Sequence, residues 1–528
     1  MTTTSTKTQT LIRLGIVLAI LILLNFISVR WFDRMDMTRT GLFTLSDAST
    51  SLMQSLDDRV TVKVYFTEDL PAPYNNHRRQ LLDQLNEYRA YARGNLQFEF
   101  IDPSAEKSEQ EAQQQGIAPV QVQVVKEDKF EVKRAYMGMV FLYEDRKEVL
   151  PVIQNTAALE YEISSTIKRL ITRTQRKIGF LTGHGEPGLQ ELSRVQELLR
   201  RQYEITTVDV SNGNPVPGDI ASLIVLAPGG PLPEAHKFQI DQFLMRGGKV
   251  AFLLNRVDAN LQNRSGRPVE LNMDDLLATY GLRINADLVR DLQCASVTIV
   301  QQQYGLNMQS QVPFPYLPLV NAFSKGNMMV KDLQNLVLFF VSSVDTAAVA
   351  AKGLRAEVLA MSSKESGRQT GSFTFDPLQQ YTREQFQERG LPLAVLVEGK
   401  FASLYAGRPA PADTSAGALP PPAAPLTGSP QTRIVLVGDG DFARDQFMGG
   451  SRDNLTFFAN MVDYLVDDAG LITIRSKDAT LPPLEQVSDG TKKFVKYANL
   501  VFPPLLVLAY GAIRWRMRKA RKKALEQQ

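Results

Sequence analysis

The chain has 528 residues, with 59 lysine-plus-arginine against 56 aspartate-plus-glutamate side chains and a formal net charge of +3. That length allows roughly three domains of about 150 residues each, and bases interspersed with acids outside the C-terminal tail exclude a nucleic-acid surface. The single cysteine, Cys294, excludes an internal disulfide and reads as a small buried filler.

In chain order, residues 1–10 are a polar, Ser/Thr-rich tail. Residues 11–30 form an almost unbroken apolar run that reaches the minimum of about 17 residues spanning a bilayer once Arg13 snorkels. Arg30-Trp31-Phe32-Asp33-Arg34 follows at once without a small-residue cleavage site, so the run is read as a transmembrane anchor. Residues 31–57 are a membrane-proximal linker in which Ser46 caps a short helix.

Residues 58–172 read as strand, helix, strand, helix and hairpin. Val60, Val62, Val64 and Phe66 alternate, Leu81, Leu82, Leu85 and Tyr88 share a helix face, and Leu96, Phe98 and Phe100 alternate again. A polar helix ends at Gly116, and strands follow at 120–125, 135–143 and 147–152. This order predicts a thioredoxin-like module. It contains no cysteine, which excludes a redox role and leaves a scaffold or binding module.

Residues 173–475 predict the organising domain. Ile178-Gly179-Phe180-Leu181 is a strand, Gly183-His184-Gly185-Glu186-Pro187-Gly188 a turn, and Leu189, Leu192, Val195 and Leu199 recur at helical spacing. Strands at Val208 to Val210, Leu223 to Leu226 and Val250 to Leu254 alternate with a helix carrying Phe238, Ile240, Phe243 and Leu244. Continuous apolar strands between amphipathic helices predict an α/β fold, a doubly wound parallel sheet of the flavodoxin or glutamine-amidotransferase kind. An insertion at 256–432 breaks the pattern, with strands expected at 336–342, 357–362 and 393–399. Its Ala/Pro-rich end, 409–432, reads as a surface loop or linker. A strand at 433–437, the turn Gly438-Asp439-Gly440-Asp441-Phe442-Ala443 and a helix at 455–466 return the chain to the sheet.

After a linker, 476–496, residues 497–513 form a second apolar run containing Pro503-Pro504. Arg514, Arg516, Arg518, Lys519, Arg521, Lys522 and Lys523 follow it in the tail 514–528. The positive-inside rule then predicts a transmembrane helix with the C-terminus in the cytoplasm. Two spans place both termini there and the bulk of the chain on the other face, held to the lipid bilayer through two helices.

Candidate site residues are Gly183, His184, Gly185, Glu186, Asp439 and Asp441. The first turn matches G-x-G-x-x-G, with Asp209 at the spacing of a ribose-binding carboxylate. Against a dinucleotide, Glu186 directs a negative charge at the pyrophosphate and Pro187 removes a backbone donor. The second turn is more acidic still. Asp439 and Asp441 with Glu186 or His184 suit a hard cation only if the fold joins the two turns. The favoured reading is that the glycines permit tight turns and the carboxylates cap helices. His77, His184 and His236 lack metal-ligand spacing, there is no P-loop, and the turns hold no nucleophile. No cofactor and no catalytic residue are expected.

The chain resembles the gliding-motility GldG-type auxiliary proteins of ABC transporters. The resemblance rests on Asp36-Met37-Thr38 and Phe43-Thr44-Leu45-Ser46, on Phe180-Leu181-Thr182-Gly183-His184-Gly185-Glu186-Pro187, and on Asp241-Gln242-Phe243-Leu244-Met245-Arg246-Gly247-Gly248. It continues through Val437-Gly438-Asp439-Gly440-Asp441-Phe442, and 256–432 matches only loosely. The resemblance implies a GIFT-like central domain, similar to that of intraflagellar-transport proteins. It also implies a non-catalytic, extracytoplasmic subunit at a bacterial inner membrane. The implied partners are an ABC-2 type permease, a separate ATPase and another membrane-anchored periplasmic subunit. The rival expectations are a periplasmic hydrolase or carbohydrate-active enzyme using the acidic turns, and a self-associating scaffold.

Overall fold

The computed structural model describes residues 44–466 apart from short breaks, the helix 489–526, and the isolated positions 16, 17, 20 and 472. The expected first span, 11–30, lies almost wholly outside the described residues. The chain divides into two units, Met1–Ala479 and Thr480–Gln528.

The first unit begins with helix α1 (Asp47–Gln54), whose N-cap Ser46 accepts the Ser49 amide. Glu160 holds this cap in place. Its buried carboxylate accepts from the Ser46 amide and the Ser49 hydroxyl, both at 2.7 Å, so the cap is fastened to helix α4 (Leu159–Ile171). Between them come β1 (Val60–Phe66), α2 (Tyr74–Tyr91), β2 (Leu96–Ile101), α3 (Glu106–Gln115), β3 (Val120–Lys126), β4 (Lys129–Ala135), β5 (Met137–Tyr143) and β6 (Arg146–Leu150). One sheet runs β2-β1-β5-β6, with β1 parallel to β2 and antiparallel to β5. Val60, Val62, Val64 and Phe66 bury against Leu81, Leu85, Tyr88 and Ile163, as their alternation requires.

The strand expected at 135–143 forms as β5, and β4 before it is an addition to the expected strands. The run 135–143 divides at Tyr136, whose amide leaves the ladder to donate to Thr67 Oγ1 at 2.9 Å, and β3 and β4 form a hairpin of their own. A continuous apolar run gives no sign of such a break.

The central sheet has eight strands. Its parallel part contains β7 (Arg176–Thr182), β8 (Tyr203–Asp209), β9 (Ile220–Leu226), β10 (Lys249–Leu253) and the strand Gly428–Val437. The full order is Ala322–Phe323, Arg355–Met361, Pro392–Ala402, Gly428–Val437, β10, β9, β7, β8, and the first three of these are antiparallel additions from the insertion. The sheet is therefore mixed and not purely parallel, because the insertion completes it. Helix α5 (Ser193–Leu199) and helix α7 (Arg452–Leu465) cover one face, where Phe180 stacks on Phe458 at 6.4 Å. Helix α6 (Glu234–Met245) covers the other, packing Phe238, Phe243 and Leu244 on Leu223, Val225 and Phe252. Successive strand residues point to opposite faces, so Ile224 and Val225 enter different cores. Each large apolar side chain so buried contributes about 1.5–3 kcal/mol.

Of the strand expected at 336–342, only Leu336–Val337 pairs in a ladder. The Phe339 amide donates instead to Asp439, and Phe340 turns into the left-handed region at φ 50°. The Ala/Pro-rich segment is also more ordered than its composition suggests. Gln242 exchanges hydrogen bonds with Leu426 in both directions, the Leu419 amide donates to the Asn212 carbonyl, and Gly428 already belongs to a strand.

The second unit is a helix, α8 (Asp489–Glu526), in which several side chains lie outside the described residues. The expected span 497–513 falls within it, with Val501, Leu505, Leu508, Tyr510 and Ile513 exposed. Among the described residues, no helix is long and apolar enough to cross a membrane.

Candidate functional site

β8 lies on one side of β7 and β9 on the other. The connections that follow β7 and β9 therefore leave the sheet toward opposite faces, which is the topological position of the ligand crevice in doubly wound folds. The predicted turn 183–188 forms one wall. Gly183 and Gly185 adopt φ 109° and 82°, and Gly185 comes so close to the backbone of Gly229 that a side chain there would touch it at 3.4 Å.

This turn satisfies its own donors. The Glu186 carboxylate accepts the His184 amide at 2.6 Å and faces His184 Nδ1 at 3.0 Å. Burial raises the Glu186 carboxyl, but these hydrogen bonds outweigh it and hold the group below the usual carboxylate range. Glu191 takes the Gly188 amide at 3.3 Å, and Asp445 takes the amides of Ser193 and Arg194 at 2.7 and 3.2 Å. Carboxylates of the chain thus stand where phosphate oxygens would bind. Asp209 is engaged as well. The amide and hydroxyl of Ser211 hold it below the ordinary range, so it is not poised for a ribose.

The second predicted turn, after the strand Gly428–Val437, follows the same logic. Asp439 is fully buried and accepts the amides of Phe339, Asp441 and Phe442 at 2.7, 2.6 and 3.2 Å. Burial pushes its carboxyl up and the charge of Asp441 adds to this, while the three amides pull the other way. Asp441 receives Asn255 at 2.9 Å and Arg444 at 2.8 Å, and Arg444 reaches on to Glu191 at 2.5 Å. The glycines are there for approach: a side chain at Gly440 would meet Ala227 and the Leu253 carbonyl at 2.7 Å.

β9 and β10 separate β7 from the strand Gly428–Val437, so the two acidic turns leave the sheet three strands apart, and Arg444 bridges them, bonded to Asp441 on one side and to Glu191, just past the first turn, on the other. Among the described residues no group of three or more His, Cys, Asp or Glu could hold a metal ion.

What the crevice does assemble is a histidine pair. His184 Nε2 lies 2.7 Å from Nδ1 of His236, which sits in the first turn of α6 on the opposite wall. Asp413, from the Ala/Pro-rich segment, closes the line: its Oδ2 lies 3.4 Å from His236 Nε2 and accepts the Gly213 amide at 3.0 Å. Sequence spacing hides His236, which is 52 residues from its partner, and low complexity hides Asp413. The available signal is position, since His236 opens the helix after β9 and β9 adjoins β7.

The family described as an ABC-type uncharacterized transport system, an ABC transporter auxiliary family, matches residues 175–468, more than half of the chain. A domain of unknown function, DUF7088, matches residues 39–142. An uncharacterized protein of Borreliella burgdorferi (strain ATCC 35210) is 22% identical over 523 residues, covering 96% of this chain and 97% of its own. Among solved structures, the mmIFT52 N-terminal domain aligns at 14% identity with a TM-score of 0.32, over 55% of this chain and 97% of that chain. By the match that runs from β7 to the end of α7, the chain belongs to the ABC transporter auxiliary family.

Proposed function

We propose that this chain is a GldG-type, non-catalytic auxiliary subunit of an ABC-2 type transporter. It is anchored in a bacterial inner membrane by residues 11–30 and 497–513, with both termini cytoplasmic and the bulk of the chain periplasmic. There it binds a substrate or an envelope partner and couples it to a permease and a separate ATPase, with another periplasmic subunit alongside. The observation that carries the reading is the family match across the whole central domain. Two features support it. The carboxylates at the strand ends are spent on internal amides and on Arg444 instead of converging on a reacting atom. The order β2-β1-β5-β6, with parallel β1 and β2 and an antiparallel β5 and β6, supports a thioredoxin-like module serving as scaffold.

The topology is tested with reporters. A phosphatase fused after Gln528 is expected to be inactive and a fluorescent protein there to mature, while a phosphatase inserted at Gly326 is active. The reverse pattern would overturn the orientation. Partnership is tested by co-purification from the native host.

A further inference from the structure

Two antiparallel ribbons stand outside the two large sheets. One is the hairpin of β3 and β4. The other pairs Cys294–Gln303 with the first part of Leu306–Val320, whose far end takes on the short strand Leu336–Val337 at Leu319 and Val320. The root of this second ribbon is fixed in an aromatic core, where Ala295 and Val297 pack against the cluster that contains Phe314 and Tyr316. Beyond the root Thr298 is exposed, and Val300 is 58% open to solvent.

The two ribbons differ in charge. β3 and β4 carry Lys126, Lys129, Glu131, Lys133 and Arg134. From Leu292 to Ser324 there is no Asp, Glu, Lys or Arg, in a chain of which such residues make up 22%. Charges along an exposed edge keep other strands off it, because an incoming strand would have to strip water from them. The first ribbon is protected in this way and the second is not.

A proline fixes which backbone groups of the neutral ribbon face outward. Pro313 stands opposite Ser296 and has no N–H, so these two residues are a non-bonded pair of the ladder and their backbone groups point away from it. Alternation then turns the N–H and C=O groups of Ser296, Thr298, Val300 and Gln302 toward the outer edge of their strand. Among the described residues no strand pairs with that edge. The opposite edge of the ribbon lacks a donor at Pro313, whereas Cys294–Gln303 contains no proline and carries the β-branched run Val297-Thr298-Ile299-Val300.

We propose that the outer edge of Cys294–Gln303 is a self-association surface whose occupant is the same edge of a second copy. Antiparallel pairing about a two-fold axis at Ile299 sets Ser296 opposite the partner's Gln302 and Thr298 opposite the partner's Val300, and each opposed pair exchanges two backbone hydrogen bonds. Every outward residue of the edge is then used, and the two hairpins merge into one sheet. Composition favours a second copy as the occupant: a neutral edge meets its own neutral sequence with no like charges opposed and no charge left unpaired.

The test is the oligomeric state of the full-length chain in mild detergent, followed by sedimentation velocity over a range of protein concentrations. The wild type is expected to dimerise. Thr298→Pro removes an outward donor but no bond of the hairpin's own ladder, and is expected to weaken the dimer by about tenfold or more. Thr298→Lys combined with Val300→Lys opposes like charges at both symmetry-related pairs and is expected to weaken it likewise. Thr298→Lys combined with Val300→Glu opposes unlike charges and is expected to keep it. The bond from Gln311 to Thr298 Oγ1 is lost in both combinations, so it does not affect their comparison. Because both positions are exposed, this pair of variants decides the matter if Thr298→Pro fails to fold. A monomeric wild type, whatever other protein it captures, would overturn the proposal, as would a Lys–Lys variant that dimerises as tightly as the Lys–Glu variant.

Discussion

The Asp241 carboxylate accepts the Tyr280 hydroxyl at 2.9 Å, and neither residue is exposed to solvent. The same carboxylate takes the Ser403 hydroxyl at 2.6 Å and the Leu404 amide at 3.1 Å. One side chain on α6 therefore joins Tyr280, at the end of the short helix Asp274–Thr279, to the segment that follows the antiparallel strand Pro392–Ala402. Asp241→Ala strands three buried donors and is expected to cost about 3 kcal/mol or more, while Tyr280→Phe costs about 1 kcal/mol. Chemical denaturation followed by far-ultraviolet circular dichroism checks both. An Asp241→Ala loss smaller than that of Tyr280→Phe would show that the donors find other partners.

Glycines at the strand ends divide by what surrounds them. A side chain at Gly438 would stand 1.9 Å from the Ser342 carbonyl, and one at Gly440 would strike Ala227 and Leu253, whereas nothing lies within 4 Å of the position at Gly230. Gly438→Ala and Gly440→Ala are each expected to lower stability by about 1–3 kcal/mol or more, and Gly230→Ala by a few tenths at most. Equal melting temperatures for all three would refute close packing as the reason for these glycines.

Glu162 on α4 links stability to pH. Burial raises its carboxyl to about 7, the charge of Arg201 only partly opposes this, and among the described residues Oε2 has no hydrogen-bond partner. The native state then holds more protons than the unfolded chain between its ordinary value of 4.5 and about 7. Its contribution is fully favourable below that window and falls as pH rises through it. Glu162→Gln is expected to remove this slope and to stabilise the protein near neutrality and above by about 1–2 kcal/mol, allowing for solvent screening. Identical pH–stability curves for wild type and variant would contradict it.

Both Gly-rich turns are filled by the chain's own carboxylates. Thermal shift with millimolar NADH, ATP or magnesium is accordingly expected to leave the melting temperature unchanged. A Glu186→Gln chain is expected to lose stability by about 1–2 kcal/mol without gaining a nucleotide response. A saturable NADH shift in the wild type would restore the dinucleotide reading of Gly183 to Gly188.

The parallel half of the central sheet is legible in the sequence because β7, β9 and β10 are short continuous apolar runs between amphipathic helices, a pattern with few other solutions. The antiparallel half is not. Strands near 357–362 and 393–399 show in the composition, but nothing local says that they extend the same sheet. Register across a long insertion is set by tertiary packing. At the crevice, His184 and Glu186 are legible as a glycine-rich turn, and their pairing follows from a two-residue separation. His236 is not legible as their partner, because adjacency of β7 and β9 is a property of sheet order and not of spacing. Asp413 is hidden for another reason: Ala and Pro dominate its neighbours, and only hydrogen bonds from distant residues order the segment. The acidic character of both turns pointed away from anions, and the structure supplies the cause in the amides those carboxylates already hold.

The central claim is partnership with a transporter, and co-purification tests it most directly. The full-length chain, tagged after Gln528 and extracted in mild detergent from its native host, is analysed by mass spectrometry. The account predicts recovery of a multi-span permease together with an ATPase, at levels comparable to the bait. Recovery of the chain alone, under conditions that keep a control transporter intact, would contradict it.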